Sequence, residues 1–140
     1  YRAVIDRDLL LAGTLLHDFA KAREFTFSEL GLVTNYSTNG QLLGHLVMGA
    51  QEVADAAREL GIPDDKSILL QHMILSHHGE PEFGAAVRPL FAEAELLSHI
   101  DAIDSRMEIY REVLNDLSVG EFSDRIFALE RRVYKPHELN

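Results

Sequence analysis

The sequence contains no cysteine, which excludes disulfides and any zinc site built on thiolates. A cysteine-free chain suits a reducing compartment, and a cytoplasmic location is the expectation. Basic residues are scarce, with 13 Lys and Arg against 23 Asp and Glu, for a net charge of −10. Such a surface repels a phosphate backbone, so bulk electrostatics are not expected to hold nucleic acid here. A nucleic-acid substrate would need positive charge from metal ions at a local site or from another domain. No run of roughly 18 apolar residues exists, so no membrane span is expected. The opening YRAVIDRDLL has neither an initiator methionine nor a signal-peptide pattern, and it reads as a cut into a longer protein. Internal repeats, low-complexity segments and linkers are missing, and strand-like alternation is poor throughout.

What remains is a chain of ordinary single-domain length, 140 residues, 46% hydrophobic and 26% charged, able to bury a core. Apolar spacing at three and four residues dominates. A first helix is expected from Asp6 or Asp8 to Phe19, with acidic residues near its start where the helix dipole favours them. Residues 22–39 break the pattern, and FTF and LVTNY there are left open as a short hairpin or an irregular loop. A second helix is expected from Gly40 to about Leu60, with Leu43, Leu46, Val47, Ala50, Val53, Ala54 and Ala57 on one stripe, ended by Gly61 and Pro63. A third runs from Asp64 or Asp65 to Ser76, burying Leu69, Leu70, Met73 and Ile74. HHGEPEFGAAVRP is loop. A long helix follows from Pro89, in its first turn, to Leu114. A last short helix is expected from Ser123, as its cap, to Arg132. The fold class is therefore all-α, a compact bundle of five to six helices.

Polar residues fall at the ends of these apolar faces. LLLAGTLLHDFAKAREF carries its first helix into His17-Asp18, with Lys21 beyond. The second helix has His45 in its first turn. Leu70, Met73 and Ile74 lead to His77, and His78 follows. The stripe Leu90, Ala94, Leu97 continues to Asp101 and Asp104. A carboxylate on a buried face is costly unless something pairs with it, and a metal cation would serve. Taken singly, each has a plainer reading: a solvated helix end for His17-Asp18, a satisfied histidine for His45, an exposed helix residue for Asp101. Taken together, four helices each deliver imidazole or carboxylate groups, the N/O donor set of Fe, Mn, Zn, Ni or Mg sites, with histidine favouring the transition metals. His72, about 140° around its helix from His77, His99 and His137 read as structural or surface positions. Asp104 is open between orienting a ligand from behind and a solvated helix position.

In this order, His17-Asp18, His45, His77-His78 and Asp101 resemble the HD-domain metal-dependent phosphohydrolases. LLHDFAK, GQLLGHLVMGAQEV, LSHHGEPEFGAAVRPLFAEAELLSHIDAIDSRM and RIFALERRVYKP resemble, more closely, the C-terminal catalytic domain of the YhaM-type 3′-to-5′ exoribonucleases, from about Asp6 to Pro136. HD alone is a weak motif, whereas the ordered HD, GH, HHG-PE-G and HIDxxD set is specific. The resemblance implies a helical HD domain over residues 1–140 holding one or two divalent ions. Manganese is the first choice, with iron, nickel, zinc, cobalt or magnesium as alternatives. By the same resemblance, His17, Asp18 and Asp101 match the core ligands, and His45 with His77, His78 or both match those of a second ion. Asp18 and Lys21 would be catalytic, Lys21 as the lysine of HDxxK beside the scissile phosphate. The family carries a further histidine well upstream of the HD pair, but this sequence starts 16 residues before His17. The chain is accordingly expected to be a fragment lacking that segment and an N-terminal OB-type domain.

Three functions compete on these grounds: a 3′-to-5′ exoribonuclease acting on single-stranded RNA, a phosphohydrolase of nucleotides or other small phosphate esters, and a non-catalytic regulatory module. No membrane partner is expected, and homo-oligomerisation is open.

Overall fold

The structure, a computed structural model, describes residues 1–138. The chain divides into two compact units, Tyr1–His99 and Ile100–Asn140. Five α-helices and one hairpin carry the regular structure among the described residues: α1 (Arg7–Leu16), α2 (Lys21–Glu24), β1 (Phe25–Phe27), β2 (Val33–Tyr36), α3 (Thr38–Leu60), α4 (Asp64–Ser76) and α5 (Ala92–Asn115), which spans the unit boundary. The all-α expectation stands, with one addition: segment 22–39 holds a two-stranded antiparallel hairpin, Phe25 facing Tyr36 and Thr26 facing Asn35.

Helix ends follow local chemistry. Asp6 caps α1 by accepting the Asp8 and Leu9 N–H groups. α1 stops at Leu16 rather than Phe19, because residues 17–20 tighten into turns. Ser37 caps α3 through Gly40 N–H. Gly61, at φ 67°, closes α3 in the left-handed conformation that favours glycine. α4 matches its expected span.

In the first unit, Met73, Ala94 and Leu97 are fully buried, with Leu9, Leu10 and Phe91 packed on them. Ile74 is equally buried on α4, whereas Leu69 reaches the surface. On α3 the buried positions include Met48, Ala50, Val53 and Ala57, while Leu43, expected inside, is exposed. The cause is a break at Gly44, whose φ 70° and ψ 163° interrupt the helix and reset the phase of its stripe.

Two expectations are corrected. Pro89 lies before α5, which starts at Ala92, and Leu90 is exposed rather than part of the stripe. The Leu90 N–H donates to His72 Nε2 at 3.1 Å, so this stretch is tied to α4 as non-helical chain. Residues 123–132 are not a helix. Phe122 pairs with Tyr134 and Ile126 with Arg131 in antiparallel bridges around a 3₁₀ turn, Phe127–Leu129. Ser123 bonds across this hairpin, its N–H to Val133 O and its Oγ accepting Val133 N–H, instead of capping a helix. In the second unit Leu129 and Val133 are buried, and Lys135 Nζ donates to Leu117 O.

Candidate metal centre

Two of the histidines reach the site by one device. His17 and His77 each occupy the C-cap position of their helix, α1 and α4. Each turns its ring back on the last turn, so that Nδ1 lies 2.8 Å from the carbonyl oxygen three residues earlier, Thr14 O for His17 and Ile74 O for His77. A carbonyl only accepts, so Nδ1 carries the proton in both rings. In the neutral ring Nε2 is then a lone pair pointing away from the helix end. His77 is 1% exposed. The rings of His17 and His77 meet edge to face at 4.9 Å, and those of His77 and His78 at 4.3 Å.

His45 arrives differently. It directly follows the break at Gly44 within α3, where the helix restarts. Gly44 holds a φ/ψ combination that side-chain-bearing residues avoid. His45 Nδ1 lies 3.2 Å from Glu24 Oε1, and that same oxygen accepts the His45 backbone N–H at 3.1 Å. Glu24 is 7% exposed. An ionised carboxylate accepts only, so this contact also places the proton on Nδ1 and the lone pair on Nε2.

Asp18 is where these rings converge. Its Oδ1 lies 3.5 Å from both His45 Nε2 and His77 Nε2, and its Oδ2 lies 3.4 Å from His17 Nε2 and accepts from Lys21 Nζ at 2.7 Å. The 3.5 Å separations exceed an N–H···O hydrogen bond. Burial works to raise the Asp18 pKa. The hydrogen bond from Lys21 and its positive charge act the other way and favour the ionised carboxyl. Asp18 is therefore an anion.

Asp18 Oδ1, His45 Nε2 and His77 Nε2 are then buried without a hydrogen bond among the described residues. All three are acceptors, and they face one another. Buried acceptors left in this way are strongly disfavoured, and three mutually repelling lone pairs more so. A cation between them reverses the sign of every term. Two groups of donors are close enough to share an ion, His17, Asp18 and His77 in one, His45, His77 and His78 in the other, the ligand atoms of each group lying within 4.8 Å of one another. His77 belongs to both. The donor set is imidazole plus carboxylate, which fits a divalent transition metal.

The structure thus brings together five of the residues singled out from the sequence: His17, Asp18, His45, His77 and His78. Lys21 joins them through Asp18. Asp101 is half-buried and Asp104 exposed on the part of α5 that belongs to the second unit. Of the remaining histidines, His72 accepts from Leu90 N–H, His99 pairs with Glu95 at 3.0 Å on the surface, and His137 is exposed. Glu24 was missed by sequence reasoning. No spacing marks it, because its partner lies 21 positions away.

The HD domain family profile matches residues 3–106. Curated relatives include proteins named 3′-5′ exoribonuclease YhaM. Those of Bacillus pumilus and Bacillus subtilis are each 43% identical over 133 residues, and that of Shouchella clausii is 44% identical over 133 residues. The alignments cover 94% of this chain and 41% of each relative, so the chain spans about two-fifths of their length. No solved structure matches.

Proposed function

The chain belongs to the HD domain family, and from that premise we propose that it is a metal-dependent phosphohydrolase, specifically the catalytic portion of a 3′-to-5′ exoribonuclease. The observation that carries the metal dependence is the convergence of Asp18 Oδ1, His45 Nε2 and His77 Nε2, three buried acceptors with no donor among them. The choice of RNA rests on relatives at 43% identity that are named exoribonucleases. Manganese is the proposed metal, and a cytoplasmic setting suits the cysteine-free composition.

In this reading His17 and Asp18 hold one ion together with His77, and His45, His77 and His78 hold a second; Asp101 is proposed as a ligand on the family resemblance alone. When bound, divalent cations supply Lewis acidity and lower the pKa of water so that hydroxide is available near neutral pH. The chain's own residues do the rest. In the neutral ring, His17 and His77 present Nε2 as the lone pair because Nδ1–H is committed to a backbone carbonyl. Asp18, held ionised, contributes negative charge at the centre. Lys21 Nζ is anchored on Asp18 Oδ2 yet 42% exposed, so it brings a positive charge to the edge of the site where the non-bridging oxygens of a phosphodiester would lie. That local charge answers the difficulty of a chain at −10 meeting a polyanion. Asp104 is proposed to orient a ligand from behind.

The test is to incubate the protein with Mn²⁺ and 5′-end-labelled single-stranded RNA, and separately with a panel of mononucleotides. A ladder shortening from the 3′ end, lost in His77→Ala, is expected. Release of phosphate from mononucleotides without a ladder would move the assignment to a small-molecule phosphohydrolase. No turnover of either, with no metal bound, would leave the non-catalytic module.

A further inference from the structure

We infer that Glu24 is a positioning residue of the metal centre, one that fixes the tautomer and aim of His45; this rests on the metal-site reading given above. Glu24 ends α2, immediately before the hairpin, and its side chain is 9% exposed. A carboxylate so deep needs donors, and the only hydrogen bonds it accepts among the described residues come from His45. One oxygen takes both the backbone N–H and the ring Nδ1–H, and the other lies 3.2 Å from the same ring nitrogen. The backbone bond fixes where residue 45 sits, and the ring bond fixes which nitrogen carries the proton. Together they leave the Nε2 lone pair directed at Asp18 Oδ1.

The surroundings keep Glu24 in place. Its carbonyl oxygen accepts Ser37 N–H at 2.8 Å, closing the base of the hairpin. Gly40 of α3 is pressed so tightly on its backbone that a Cβ there would lie 2.1 Å from that carbonyl oxygen. Gly44, whose break in α3 presents the His45 N–H, has Glu24 Oε1 as the nearest atom to its absent Cβ, at 3.8 Å. His17 and His77 obtain the same tautomer from carbonyls of their own helices. His45, directly after the break at Gly44, turns its Nδ1 to Glu24 Oε1 at 3.2 Å rather than to a carbonyl of its own helix. Glu24 supplies the acceptor.

The experiment compares wild type, E24A, H45A and the E24A/H45A double variant for Mn²⁺ affinity by calorimetry, and reads the His45 tautomer from ¹⁵N shifts of the metal-free protein. E24A is expected to weaken Mn²⁺ binding by about 10- to 100-fold, the range for loss of such a carboxylate partner. The double variant is expected to bind no more weakly than H45A alone, since Glu24 acts through His45. The His45 ring should lose its Nδ1–H form in E24A. Should E24A fail to fold, E24Q takes its place. Its amide can present N–H as well as C=O to the ring, so a mixture of tautomers and reduced affinity are expected. Wild-type affinity with an unchanged His45 tautomer, or additive losses in the double variant, would overturn the inference. If wild type itself binds no Mn²⁺, the metal-site reading fails instead, and the ¹⁵N spectra alone then decide whether Glu24 sets the tautomer.

Discussion

Replacing Asp18 by Asn should change stability in opposite directions with and without metal. In the metal-free protein Asp18 Oδ1 faces His45 Nε2 and His77 Nε2 at 3.5 Å, acceptor against acceptor. An amide with its NH₂ in the Oδ1 position can donate to both ring nitrogens after a small shift. Each buried polar group that gains a partner returns about 1–3 kcal/mol. Against this stands the ion pair with Lys21, whose partners are 42% and 33% exposed and which is therefore worth about 0–1 kcal/mol. Metal-free D18N should be more stable than metal-free wild type by about 1 kcal/mol or more.

With metal the order inverts. At a free Mn²⁺ concentration of about 100 times Kd, binding stabilises the wild type by about 2.7 kcal/mol. For a chain of this size that corresponds to a rise in melting temperature of about 8–11 °C, taking roughly 3–4 °C per kcal/mol. D18N, lacking the anion at the centre, should show almost no rise. The assay is a pair of thermal melts for each protein, one in EDTA and one in Mn²⁺. Metal-free D18N less stable than metal-free wild type, together with a retained Mn²⁺ shift, would refute the argument that three lone pairs converge here.

Gly40→Ala sets helix propensity against contact. Alanine in a helix gains about 1 kcal/mol over glycine. Its Cβ would lie 2.1 Å from Glu24 O and 2.8 Å from Glu24 Cα, both backbone atoms that cannot swing aside, and overpacking of that kind costs about 1–3 kcal/mol or more. A lower urea midpoint and weaker Mn²⁺ binding are expected; a variant as stable as wild type would show that α3 accommodates the methyl by sliding. His72 makes a pH prediction. Burial lowers its pKa below the ordinary 6.5, so the unfolded chain takes up the proton first and stability falls as pH drops through 6.5 towards the folded-state value. Protonation also removes the Nε2 lone pair that accepts Leu90 N–H. His72→Gln keeps an acceptor but does not titrate. Urea midpoints between about pH 7 and 5 in EDTA should fall less steeply for it, and parallel curves would remove His72 from the account.

The site was legible in sequence where a polar residue terminates a helix whose other face is apolar. His17 and His77 follow α1 and α4 directly, so the pattern that buries Met73 and Ile74 also dictates where His77 emerges. The span of α4, Asp64–Ser76, was legible for the same reason. The pattern fails where a contact, not a period, sets the structure. Gly44 resets the phase of α3, so the expected stripe placed Leu43 inside and overlooked Met48. In residues 123–132, Ile126 and Leu129 stand at helical spacing behind a serine that resembles a cap. The cross-strand partners Phe122–Tyr134 and Ile126–Arg131 decide the conformation instead, and Glu130 at φ 56° turns the chain.

Glu24 is the instructive case. On composition it is one of 23 acidic residues, in a segment that breaks the helical period. Its burial becomes intelligible only when α3 brings His45 across from 21 positions away. Local patterns can name ligands, since ligands must sit at the ends of buried faces. The groups that orient those ligands lie behind them, and they are set by how one helix approaches another. Here that approach is recorded in the sequence after all, in Gly40 and Gly44: the first lets α3 close onto Glu24, and the second turns His45 towards it. In this chain Gly40 and Gly44, one helical turn apart and leading directly into His45, mark where α3 meets Glu24, although nothing in the spacing points to Glu24 itself.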